Sequence, residues 1–203
     1  MTAAKQHSIR VGNVALAADL VVPDDVTGVV VHAGLGERGA RSSVAEHLAA
    51  RARLASLIVD LLTGDEARGE GGAALLRFEV PLLAQRLAAA TDWVLAQPSL
   101  RYVPIAYAAE DTAAAAALLA ASARSDVRAV ACRSGRPDLA GAALENVRIP
   151  TLLVVAETDD ALVAHNRSAR TRLRSSELAL VAPPAIDARV EDFLVRALAP
   201  DEG

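Results

Sequence analysis

The stretch "IAYAAEDTAAAAALLA", Ile105–Ala120, holds the decisive pattern. An apolar run of strand length meets three polar residues, Glu110-Asp111-Thr112, and passes at once into an alanine run. A short apolar run closed by polar residues reads as a buried strand, and alanine has the highest helix propensity. The predicted unit is therefore strand, sharp turn, helix, with two carboxylates at the turn.

The same alternation extends in both directions. Upstream, "GVVVHAG" (28–34) and "ASLIVDLL" (55–62) are continuous apolar runs, as expected of strands covered on both faces. Between them "SSVAEHLAARARL" (42–54) has a helical stripe that a serine can cap. "SIRVGNVALAADLVV" (8–22) reads as two β segments meeting near Gly12-Asn13, and Pro23-Asp24-Asp25 as a turn. The polar, glycine-rich "TGDEARGEGGA" (63–73) is predicted to be an exposed loop. A helical pattern over 74–96 must break near Pro81, which lacks an amide hydrogen. Downstream, "VRAVACRS", "TLLVVAE" and "ELALVAP" supply strands, and "DALVAHNRSARTRLR" and "DARVEDFLVRAL" helices. Alternating strands and helices give an α/β fold, a mostly parallel central sheet with helices on both faces in a three-layer α/β/α sandwich. Its chemistry is expected in loops at the carboxyl ends of the strands.

Composition narrows the function classes. A chain of 203 residues suits a single domain spanning 1–203. Hydrophobic residues make up 53% and aromatics only 2%, so the core must be built from Ala, Val and Leu at close approach. The net charge of −4, with both signs interspersed, offers no basic patch for nucleic acid and no polybasic membrane anchor. The N-terminus lacks the apolar run of a signal peptide, no segment approaches the roughly 20 apolar residues of a membrane span, and Cys132 stands alone. A cytoplasmic protein is the expectation.

Several segments in this order resemble the dienelactone-hydrolase-like branch of the α/β-hydrolase fold: "VVVHAG", "LIVDLLT", "LRFEVPLLAQRLAAATDWV", "CRSGRPDLAGAAL" and "IPTLLVVAETDDALVAHNRSA". The resemblance covers nearly the whole chain and implies descent from enzymes that cleave esters and lactones with a Ser, an Asp and a His. Where the family places its nucleophile elbow, a strained strand-to-helix turn, this chain reads Ala109-Glu110-Asp111-Thr112-Ala113. The resemblance thus puts Asp111 at the nucleophile and Asp159 at the triad acid. The triad histidine has no counterpart, since no histidine follows His165.

Two readings follow. In the first the triad has decayed, Asp159 serves as a helix N-cap, and the protein is non-catalytic, binding a small molecule, a second copy of itself or a protein partner. In the alternative Asp111 is a carboxylate nucleophile or a general base, with His165 or His32 recruited beside it. Either way the binding candidates are His32 and Gly34 in the altered oxyanion loop, Thr112 as a displaced hydroxyl, and Arg133 and Arg136 as a fork for a carboxylate. Glu37, in the same loop, is expected to face solvent, and Cys132 to be a small core residue. Glu110, Asp111 and Asp159 lack the spacing of a metal site, so neither metal nor cofactor is expected. Two acids close together without a histidine should repel, raising the pKa of one of them.

Overall fold

A computed structural model of the chain describes residues 4–36 and 39–199. The hairpin β1 (Lys5–Val11) and β2 (Val14–Val21) turns at Gly12, where φ is 59°. Then follow β3 (Gly28–Gly34), α1 (Gly39–Ala52), β4 (Leu54–Asp60), the short α2 (Gly64–Ala67) and a 3₁₀ stretch, Glu70–Phe78. The chain continues through α3 (Val80–Leu95), β5 (Ile105–Asp111), α4 (Ala113–Ser122), β6 (Val127–Gly135) and a second 3₁₀ stretch, Pro137–Asn146. It ends with β7 (Thr151–Ala156), α5 (Asp160–Arg170), β8 (Ser176–Val181) and α6 (Ile186–Ala197).

The eight strands form one sheet in the order β1-β2-β4-β3-β5-β6-β7-β8. The β1/β2 and β2/β4 pairs are antiparallel and all others parallel. Side chains alternate across the sheet with period two. Val29, Val31, Tyr107 and Ala109 therefore face a core built with α3 and α4, whereas Val30, Ala106 and Ala108 face α1 and α6. The low aromatic content has its physical reason in α4, where Ala113–Ala117 are all fully buried between the sheet and α3. With methyl groups at the contact, helix and sheet approach closely.

The expected loop at 63–73 is instead ordered structure. Thr63 caps α2 by accepting a hydrogen bond from the Glu66 amide at 3.3 Å, and the Glu66 carboxylate accepts from the Thr63 amide at 2.9 Å. This reciprocal capping box makes a helix of a segment whose glycines suggested a loop. The break at Pro81 falls as anticipated: the proline sits in the first turn of α3, where a missing amide hydrogen costs nothing. Among the described residues no helix is long and apolar enough to cross a membrane.

Candidate active site

The turn between β5 and α4 keeps the conformation a nucleophile elbow requires. Asp111 has φ of 52°, a left-handed value that non-glycine residues adopt only at a cost. Neighbours hold it there: the Arg136 amide donates to the Asp111 carbonyl at 3.0 Å, and Thr112 anchors the turn by donating its hydroxyl to the Arg77 carbonyl at 2.6 Å. Gly135 is needed beside it, because a Cβ there would collide with the Ala114 methyl. The Asp111 side chain is exposed, and among the described residues it takes no hydrogen bond.

Thr112 is 2% exposed and committed to Arg77, so its hydroxyl does not stand in for a serine. Asp159 caps α5, accepting from the Leu162 amide at 3.0 Å. Arg136 holds Asp138 through two hydrogen bonds of 2.9 and 2.8 Å. These bonds, aided by the negative charge of Asp111, push the Arg136 guanidinium up from its ordinary range against the opposing effect of burial. Neither Arg133 nor Arg136 is thus an unoccupied fork: both already bind carboxylates of the chain. Cys132 is fully buried, and burial pushes its thiol up to about 12, which leaves it inert at neutral pH.

Each of the four histidines has a neighbour other than Asp111. His32 is buried against Ser56, with Nε2 3.1 Å from the hydroxyl; burial, then the Arg41 charge, hold its imidazole down at about 3, so it stays neutral. His165 places Nδ1 3.5 Å from Asp138, His47 pairs with Glu191 at 3.2 Å, and His7 lies against the Trp93 ring.

The feature the sequence reading missed is a chain of charges on the opposite face of the same strand ends. His32, Asp60, Glu110 and Arg133 share the side of α1 and α6, whereas at Asp111 the register shift and the left-handed backbone end the alternation and leave its side chain exposed. Arg41, from α1, reaches down among them and is only 5% exposed. Its Nη2 donates to Asp60 at 2.7 Å and to the Gly36 carbonyl at 2.6 Å, and its Nη1 to the Val59 carbonyl at 3.3 Å. Gly34 gives it passage, since a Cβ at that position would overlap the guanidinium. In the described structure this glycine makes room for a cation, a role different from turning amides toward an oxyanion. Glu110 bridges Arg41 Nε at 3.4 Å and Arg133 Nη1 at 3.2 Å, and Arg133 Nε donates to Asp187 at 2.6 Å. Burial is the main force raising the Glu110 carboxyl; the two arginines oppose it and Asp111 adds to it. The anticipated repulsion between the two elbow acids is thus present but secondary to desolvation.

What space remains beside these groups is a cavity of about 20 Å³, room for about one water. It is lined by His32, Ala33, Arg41, Val44, Ala108 and Glu110, among others. Among the described residues no group of His, Cys, Asp or Glu side chains is arranged to hold a metal ion. Glu37 lies outside the described residues.

No family model matches the sequence. Among solved structures the chain is similar to a dienelactone hydrolase from Anabaena variabilis, at 35% identity over 96% of each chain with a TM-score of 0.85. It shares the fold of Est1E from Butyrivibrio proteoclasticus, at 14% identity, 96% and 99% coverage and a TM-score of 0.76. It is also 37% identical over 170 residues to proteins of two Mycobacterium tuberculosis strains provisionally named phosphoribosyl transferases. That match takes in 82% of this chain and only 38% of theirs.

Proposed function

Because the chain belongs to the dienelactone-hydrolase-like family of the α/β-hydrolase fold, we propose that it is an ester and lactone hydrolase by descent that no longer turns substrate over and serves instead to bind a small molecule or a partner. The observation that carries this reading is the engagement of every imidazole elsewhere: His7, His32, His47 and His165 each have another neighbour, and none is hydrogen-bonded to Asp111. Triad members act as a unit, so an elbow without its base forfeits most of the shared rate enhancement. Loss of general base catalysis alone is worth about 10² to 10⁴ in rate.

The retained left-handed geometry of Asp111 favours one second reading, in which the carboxylate still attacks. Displacement at the halogen-bearing carbon of a haloacid would form an alkyl ester on Asp111 and release halide, and with no base to activate water that ester should persist. Attack on the acyl carbon of an activated ester or lactone would form an anhydride, with the alkoxide as leaving group, that water opens to product. Intact-protein mass spectrometry after incubation with such a panel separates the two. We expect unchanged mass and no product; an adduct or product lost in Asp111→Asn would overturn the silent reading.

The Mycobacterium tuberculosis relatives extend far beyond their match to this chain. We assign the transferase activity in their names to that remainder, and propose a phosphoribosyl transferase unit, linked or separate, as the protein partner. Co-expression followed by size-exclusion chromatography tests this, and separate elution counts against it.

A further inference from the structure

The charge chain beside the elbow is unevenly bonded. Arg41 and Arg133 are each fixed by an acid they do not share, Asp60 at 2.7 Å and Asp187 at 2.6 Å, so both guanidinium groups stay in place whatever Glu110 does. Glu110 lies between them at 3.4 and 3.2 Å, longer than the 2.7–2.9 Å of a well-made charge-assisted hydrogen bond. Arg41 Nε is buried and has no hydrogen-bond acceptor despite this neighbour. Burial also raises the Glu110 carboxyl, which makes the ionised side chain a weakly held guest.

We propose that Arg41 and Arg133 form a receptor for a short-chain aliphatic carboxylate, and that Glu110 is its internal occupant in the free protein. The head group follows from the two pinned cations, which fit a carboxylate's two oxygens. The tail follows from the walls: Ala33, Val44, Ala108 and Val190 are apolar. The small volume excludes a long chain, although outward rotation of Glu110 adds the space of its own carboxylate. The way in lies where Glu110 and Arg133 reach solvent, at 22% and 29% side-chain exposure.

This inference rests on the reading of the cavity as a binding site, and it is tested without any turnover. Truncation in Glu110→Ala deletes Cγ, Cδ and both oxygens, the heavy atoms of acetate. Melting temperatures of wild type, Glu110→Ala and Glu110→Ala/Arg133→Met are compared in sodium acetate, acetamide and sodium chloride at neutral pH, with the salts matched in ionic strength. The expected result is a saturable rise of about 3 °C or more for Glu110→Ala in acetate alone, a smaller rise for wild type, and none for the double variant. Absence of the rise in folded Glu110→Ala, an equal rise in wild type, or its survival in the double variant would each overturn the proposal. Glu110→Ser, which keeps a polar group at the position, is read in the same way should the alanine variant fail to fold. Ester turnover by wild type would remove the silent reading and leave these melting curves as they stand, so the two ideas fail separately.

Discussion

At Asp111 the main chain pays a conformational cost, about 1–2 kcal/mol for an ordinary L-residue and less for Asp, which tolerates the left-handed region. Asp111→Gly is therefore expected to be neutral or stabilising in urea unfolding, and Asp111→Val to lose about 1–2 kcal/mol; equal stabilities would show that the elbow relaxes. Gly34 tests the other face. Any Cβ there displaces Arg41, which is held by three acceptors, and breaks its buried pairing with Asp60. Gly34→Ala should cost about 3–5 kcal/mol, the usual penalty for orphaning a buried charge. His32 sets a pH dependence. An unfolded imidazole takes up its proton near 6.5, whereas buried His32 refuses it until about pH 3. The stability from keeping this ring neutral is complete above 6.5 and is lost as pH falls from there toward 3. Two units below 6.5 the loss is about 2–3 kcal/mol, so a folded His32→Gln variant should show a correspondingly flatter stability profile between pH 6.5 and 4.5.

At the level of elements, α2 is the instructive case. Its capping box links to the rest of the fold through Glu66, whose carboxylate also receives two hydrogen bonds from Arg86, at 2.7 and 2.8 Å. The Arg86 hydrogen bond, then the Thr63 contacts, hold the Glu66 carboxyl down at about 2 against the opposing effect of burial. Thr63→Ala loses one cap, about 1 kcal/mol. Glu66→Ala also strands the 4% exposed Arg86 and should cost clearly more in the same denaturant titration. The spacing Thr63-x-x-Glu66 is a helix start signal that the loop reading, resting on the glycines, did not take into account. The central strands were legible because runs such as Val29–Val31 and Leu152–Val155 are apolar at every position, which a doubly covered strand requires. Arg41 and Arg86 were not. An arginine on a helix looks like a solvated residue until the fold closes over it, and period-two alternation from Ala106 and Ala108 was the one hint that Glu110 turns toward α1 and α6.

Across the whole molecule, the small-residue composition and the close fit of α4 are one property. Ala116 is fully buried with no slack around it, so Ala116→Leu should destabilise by about 1–3 kcal/mol through overpacking, read as a lower midpoint in thermal unfolding. The same tightness fixes the path at the far end of the sheet. Between the last residue of β8, Val181, and the first of α6, Ile186, only Ala182-Pro183-Pro184-Ala185 intervene. Two consecutive prolines make that crossing short and stiff, and none of its four residues is a histidine. A serine written in at 111 would find its turn already built, yet it would still wait on an imidazole that this bridge does not carry. For anyone wishing to re-engineer turnover, the first edit therefore belongs in the bridge.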